Sequence, residues 1–136
     1  RSVFETYPSP LTNPDFIKST MERNVLYRLA MRNGKALAAA SAEINFKHAN
    51  AELTDCATTP ETQGKGLMKH ILTALEDDLK EKNIITAYTL ARAMSLGMNR
   101  VFFRLGYEFS GRLINNCDIF GQFEDMNIWV KRLPKK

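Results

Sequence analysis

At 136 residues, with 44% hydrophobic and 25% charged side chains, the chain has the make-up of one folded domain with its own core. That balance excludes a disordered segment, and no apolar run approaches the roughly 20 residues that span a bilayer. A formal net charge of +4 permits an anionic partner. Outside a short tail of Lys131, Arg132, Lys135 and Lys136 the basic residues are dispersed, so no nucleic-acid-binding stripe is expected.

The chain opens on Arg1 with no basic-then-apolar leader, which predicts no secretion signal and a trimmed or partial chain. Cys56 and Cys117 stand in no C-x-x-C or metal-ligand spacing. They are expected to be reduced thiols in a cytoplasmic protein without a metal site.

Pro8, Pro10 and Pro14 mark the first segment, and Asn13-Pro14 is a cap-and-first-turn signal for a short helix over residues 15–23. Residues 25–31 (VLYRLAM) read as a strand, Asn33-Gly34 as a hairpin turn, and residues 37–46 as the next strand, carrying three consecutive alanines. A polar turn at 48–50 leads to a third strand over 52–58, making an antiparallel meander. From residue 66 to 82, Leu67, Ile71, Leu75 and Leu79, flanked by Met68 and Leu72, form one face of a helix. Glu76, Asp77, Lys80 and Glu81 fall on the other face. Residues 84–90 form a strand that completes a βαβ crossover. A helix over 95–105, stopped by Gly106, precedes two closing strands over 107–114 and 126–133, with a polar loop between them. The expected fold is α+β, one domain over residues 1–136.

Between the third strand and the long helix lies Pro60-Glu61-Thr62-Gln63-Gly64-Lys65-Gly66-Leu67-Met68. Unpaired N–H groups and the dipole of a helix start attract anions, and glycines let a phosphate approach the backbone. Lys65 adds positive charge, so the segment reads as a pyrophosphate cradle. It matches neither the Walker loop nor G-x-G-x-x-G.

With those residues in view, the chain resembles the GNAT family of N-acetyltransferases from Val25 onward. Gln63-Gly64-Lys65-Gly66 is similar to the family's Q/R-x-x-G-x-G/A signature, with Met68 where that signature has Gly or Ala. The resemblance implies a three-layer domain whose mixed, mostly antiparallel sheet carries a central βαβ unit binding acetyl-CoA as cosubstrate. It implies that Gln63 and the amides of Gly64, Lys65, Gly66, Leu67 and Met68 hold the pyrophosphate. Backbone of Cys56, Ala57 and Thr58 would line the pantetheine arm, and the second helix, with Ser95, Asn99 and Phe102, would be a further cofactor-binding segment. Ser95 and Phe102 replace the family's usual Asn and Tyr, so a tyrosine general acid at position 102 is excluded.

Thr54-Asp55-Cys56-Ala57-Thr58, Tyr88-Thr89-Leu90-Ala91-Arg92-Ala93, Gly97-Met98-Asn99, Gly111-Arg112-Leu113-Ile114-Asn115-Asn116 and Glu124-Asp125-Met126-Asn127-Ile128-Trp129 look like the branch that acetylates the side-chain amine of β-lysine. That branch is longer at the amino end, which implies that the first strand of the core is missing here. A homodimer is compatible with the family.

Acetyl transfer needs a neutral amine, and an alkyl ammonium has a pKa near ~10.4, so a base is required. Glu52 occupies the strand position of a catalytic glutamate in the histone-acetylating branch and is the first choice. Asp55 is the rival; simple strand alternation puts it on the opposite face. The amide of Cys56 or Ala57 is the candidate donor to the thioester oxygen. An amino-acid acceptor calls for Arg92 or Arg112 at its carboxylate, and for Asn115, Asn116, Asp118 or Glu124 at its amines. His48 and His70 read as surface residues, Cys56 as a packing residue, and Phe102, Phe103 and Trp129 as core. The competing readings are a protein-lysine or polyamine acetyltransferase, decided by whether residues 115–125 fold over the site, and a non-catalytic coenzyme-A-binding module.

Overall fold

Asn33 (φ 51°) and Gly34 (φ 76°) adopt the left-handed backbone that closes a two-residue hairpin with the natural twist of its strands. They join β1 (Val25–Arg32) to β2 (Lys35–Asn45), and a turn through Ala49 leads into β3 (Asn50–Thr58). The computed structural model describes residues 14–21, 23–119 and 121–134; the expected cap Asn13, Pro8, Pro10 and the lysines at 135 and 136 lie outside them. Upstream of the meander sits α1 (Pro14–Met21).

After β3, a 3-10 turn (Pro60–Thr62) and the glycine loop lead into α2 (Leu67–Glu81), and β4 (Thr86–Arg92) returns parallel to β3. Ser95 caps α3 (Leu96–Arg104), its hydroxyl accepting the Met98 N–H. β5 (Glu108–Ile119) and β6 (Gln122–Arg132) close the sheet, in the order β1-β2-β3-β4-β6-β5. Every neighbouring pair is antiparallel except β3 with β4. The α+β architecture with a central βαβ unit is therefore the one the sequence predicts.

Ala38, Ala40 and Ala42 of β2, with Ala51 and Leu53 of β3, face Met68, Ile71, Leu72, Leu75 and Leu79 of α2. Small strand side chains let that helix lie close to the sheet. Leu26 of β1 joins the same core, so its neighbour Tyr27 points the other way and meets α1, where the Thr20 and Tyr27 hydroxyls lie 2.8 Å apart. Helices thus cover both faces, and α2 leaves β2 and β3 open on the side opposite it.

Three expectations change. Glu76, assigned to the solvent face of α2, is 3% exposed. Its carboxylate accepts from the Tyr107 hydroxyl at 2.8 Å and from Lys131 Nζ at 3.0 Å, while Lys131 also donates to the Leu105 carbonyl at 2.8 Å. A hydropathy pattern cannot register a buried charge that is compensated by partners from other elements. Residues 115–125 are not a loop: β5 runs to Ile119 and β6 starts at Gln122, so the segment is a strand hairpin. Phe103 is 68% exposed and meets Trp129 edge-on at its surface, whereas Phe102 is core at 1%. His48 and His70 are both exposed.

Lys131→Met would leave the buried Glu76 with Tyr107 as its remaining hydrogen-bond donor. We expect urea denaturation at pH 7 to show a loss of about 2–3 kcal/mol, below the value for a fully buried pair because Lys131 is partly exposed. A loss under about 0.5 kcal/mol, the level of an ordinary surface change, would contradict this account of the triad.

Candidate active site

The loop before α2 leaves the start of the helix uncapped and open. Gly64 (φ 80°) and Gly66 (φ 77°) hold left-handed backbone, and a Cβ on either would meet no atom within 4 Å. Gly66 is the N-cap of α2; no side chain caps it, and the first turn contains no acidic residue. The first N–H groups of α2 therefore face open space beside the exposed Lys65. The loop's base is fixed: the Thr59 N–H donates to the Leu37 carbonyl at 2.8 Å, the Thr59 and Thr62 hydroxyls lie 2.8 Å apart, and the Gln63 amide donates to the Thr58 carbonyl at 3.4 Å. Uncapped donors, a cation and room where two Cβ atoms would stand fit a diphosphate-bearing cosubstrate.

Beside that loop the sheet forks. β3 and β4 pair only through Asn50 with Thr86, Ala51 with Ala87, and Glu52 with Tyr88. Past that rung β4 continues against β6 as far as Arg92, while β3 keeps only β2. The Thr89 hydroxyl donates to the Leu53 carbonyl at 2.7 Å and bridges the start of the fork. From Thr54 onward one edge of β3, including Cys56, Ala57 and Thr58, has no strand beside it. An extended ligand arm can add there as a false strand.

Asp55 does not lie opposite Glu52. Ser41 pairs with Thr54 but Ala39 with Ala57, so β3 carries one extra residue, and Asp55 takes φ 56°. This bulge resets the alternation and turns the Asp55 carboxylate onto the fully buried Ser41, whose hydroxyl donates to it at 2.7 Å. Both acids therefore face away from α2, together with Glu43, the cross-strand partner of Glu52.

Glu52 is half-buried and forms no hydrogen bond or ion pair with any described residue. Burial, then Glu43, then Asp55 lift its carboxyl from an ordinary 4.5 to about 7. Burial and Asp55 also raise Glu43. Tyr88 is raised by burial, then by Glu52 and Glu43. A cavity of about 390 Å³ opens beside this rung, lined among others by Asn24, Glu43, Asn45, Asn50, Glu52 and Tyr88. Burial, followed by Asp55, pushes the Cys56 thiol up to about 12, which disfavours the thiolate a nucleophile needs.

The other predicted residues divide. Arg92 and Glu124 come together as a bidentate pair, Nε to Oε1 at 2.7 Å and Nη2 to Oε2 at 2.6 Å, on the same face of the sheet as Glu52. The sequence predicts them as separate substrate ligands; in the structure each holds the other. Cys117 pairs with Glu124 across the hairpin, and its thiol is raised by burial, then by Glu124 and Asp118, with a smaller contribution from Glu52. Arg112 donates to Asn127 at 3.1 Å on β6. Asn115 sits at a β5 irregularity with φ 48°, its N–H bound to Asp125, and Asn116 and Asp118 are exposed on the hairpin.

In the second segment, Ser95 is occupied as the α3 cap, and Phe102 packs edge-on against Tyr107 in the core, so its ring lines no cleft. Asn99 is a framework hub. Its amide donates to the Arg92 and Ser95 carbonyls at 2.9 and 2.7 Å, and its oxygen accepts from Asn127 and Trp129 at 3.0 and 2.8 Å. Glu43, Ser41 and Tyr88 were not singled out as site residues from the sequence. The available signal was Glu43 as the polar interruption of an alanine-rich strand.

A sheet forked beside an uncapped, glycine-bearing helix start defines a domain suited to an extended, diphosphate-bearing ligand. The sequence profile of the acetyltransferase (GNAT) family matches residues 2–107, and the chain belongs to that family. It is 51% identical over 130 residues to the β-lysine N(6)-acetyltransferase of Methanosarcina mazei, which covers 96% of this chain and 48% of that protein. Identity to the β-lysine N(6)-acetyltransferase of Methanococcus maripaludis is 44% over 129 residues, covering 95% and 47%. The chain thus spans about half the length of the curated relatives it matches. The ribosomal-protein-alanine N-acetyltransferase of Brucella melitensis shares the fold, with a TM-score of 0.80 at 18% identity over 97% of this chain and 84% of that one.

Proposed function

We propose that this domain transfers an acetyl group from acetyl-CoA to a primary amine, and that the acceptor is the side-chain amine of β-lysine. The observation that carries the reading is Glu52: a half-buried carboxylate at the mouth of the fork, without a hydrogen bond or ion pair among the described residues and pushed up to about 7 by burial and the neighbouring Glu43 and Asp55. A base poised near neutrality can accept a proton from an ammonium that is then free to attack. The relatives named for β-lysine acetylation support the choice of acceptor.

In this reading the amides of residues 64–68, with Lys65, hold the diphosphate, and Gln63 steadies the loop. The open edge of β3 at residues 56–58 orients the extended arm. The donor supplies an activated thioester carbonyl. Asp55, fixed by Ser41, stabilises the positive charge of the incoming ammonium; Glu52 takes one of its protons, the freed amine adds to the thioester carbonyl carbon, and collapse of the tetrahedral adduct breaks the C–S bond, the second N–H proton leaving with coenzyme A as its thiol. A backbone N–H of Cys56 or Ala57 polarises the carbonyl oxygen. Most of the rate enhancement then comes from positioning both reactants in one fork. Arg92 and Glu124 hold each other at the border of this face, as a bidentate pair. Cys56 and Cys117 are both free, which suits a reducing compartment, and we place the enzyme in the cytoplasm.

The test follows free thiol release from acetyl-CoA with β-lysine, α-lysine, spermidine and a lysine-containing peptide as separate acceptors. We expect kcat/KM for β-lysine to lead the others by at least about tenfold, the scale of one charge-assisted contact. A peptide or spermidine leading would overturn the acceptor. Coenzyme A binding with no turnover on any amine would instead support a binding module.

A further inference from the structure

Resting on the acetyl-transfer reading above, we propose that Glu43 is the specificity residue of the acceptor site: it holds a second ammonium group of the substrate while the amine to be acetylated lies at Glu52. Glu43 and Glu52 are direct partners across the β2–β3 ladder. Such partners have Cβ atoms about 4.5–5.5 Å apart, and like charges in that relation destabilise a sheet. Neither carboxylate forms a hydrogen bond or ion pair with any described residue, so no described residue supplies a cation to either. Asp55 differs, being held by Ser41.

The cavity gives that juxtaposition a direction. It runs from the Glu52–Tyr88 rung away from the fork, towards Asn45 and Asn50 at the strand ends, with Glu43 in its wall. A substrate presenting one amine at the fork therefore lays the rest of its length along Glu43. Other polar groups in the wall are partly committed: the Asn24 amide donates to the Ile44 carbonyl at 3.1 Å, and the Asn45 oxygen accepts from the His48 N–H at 3.1 Å. Among the described residues that line the cavity, the charged ones are the two glutamates. Their spacing is one that a short alkyl diamine can bridge, and β-lysine carries its two amines at the ends of such a chain.

The test is calorimetric titration of β-lysine and of 6-aminohexanoate, which lacks the second amine, into the full chain saturated with coenzyme A at pH 8. We expect the wild type to prefer β-lysine. Glu43→Gln should weaken β-lysine by about 10- to 100-fold and leave 6-aminohexanoate within about twofold. Equal weakening of both ligands, no weakening, or a wild type without preference would overturn the proposal. The variant relieves a like-charge pair, so its melting temperature should not fall. Failure of the underlying reading looks different: Glu52→Gln would keep full turnover while Glu43→Gln still lost β-lysine selectively.

Discussion

Glu52→Gln is expected to lower kcat for acetyl transfer about 10²- to 10³-fold, the contribution of a well-placed general base. The wild-type rate should rise with pH through about 7 as Glu52 ionises, and the variant should lose that limb. Stability should move the opposite way. Below pH 4.5 the glutamate is protonated in both folded and unfolded chains. Between 4.5 and about 7 the unfolded chain releases its proton while the folded one keeps it, so stability falls as pH rises. Above that window the loss is complete, and glutamine, which never ionises, escapes it. After discounting for its partial exposure, the variant should be about 1–2 kcal/mol more stable than wild type at pH 8 and equal to it near pH 4. Stopped assays across pH 5.5–9, paired with urea denaturation at the two pH extremes, read both effects. A variant with unchanged kcat and an intact limb would remove Glu52 from the proton path.

The second large effect belongs to the loop. Replacing Gly64 and Gly66 together by alanine puts two methyl groups into the space in front of the α2 amides, a space that nothing else fills. Both positions also hold left-handed backbone, which costs an L-residue about 1 kcal/mol each. We expect the dissociation constant for coenzyme A, measured by calorimetry, to rise about 10- to 100-fold, as charge-assisted backbone contacts are lost. Acetyl-pantetheine has no diphosphate and controls for general damage. Its use as an acetyl donor should survive within about threefold once unfolding is subtracted, since the β3 edge is untouched. Equal loss with both donors would mean that the glycines serve the fold rather than the diphosphate.

What the sequence disclosed about this fold follows from which forces leave a local trace. The Asn33-Gly34 turn, the three β2 alanines and the leucine stripe of α2 each act within a few residues, and each element was legible. The Asp55 bulge was not. Period-two alternation assumes a regular ladder, and one extra residue in β3, held by the buried Ser41, moved Asp55 onto the face of Glu52. Glu76 was misplaced for a related reason: the partners that make its burial tolerable, Tyr107 and Lys131, are 31 and 55 positions away in the chain. Polar strands disguised the β5–β6 hairpin, because residues exposed on a hairpin carry no apolar alternation. Of the candidate site, the glycine loop and Glu52 could be proposed from the sequence, because they lie in short contiguous runs. The placement of Glu43 beside Glu52 and the Arg92–Glu124 pair were illegible, because they exist only once strands distant in sequence are set side by side.

The measurement that bears most directly on this account is a crystal structure of the chain with coenzyme A and β-lysine bound together. The account predicts the diphosphate on the amides of residues 64–68, the side-chain amine within hydrogen-bond distance of Glu52, and the second amine at Glu43. β-Lysine bound on the α2 face of the sheet, or coenzyme A lying away from the β3 edge, would contradict it.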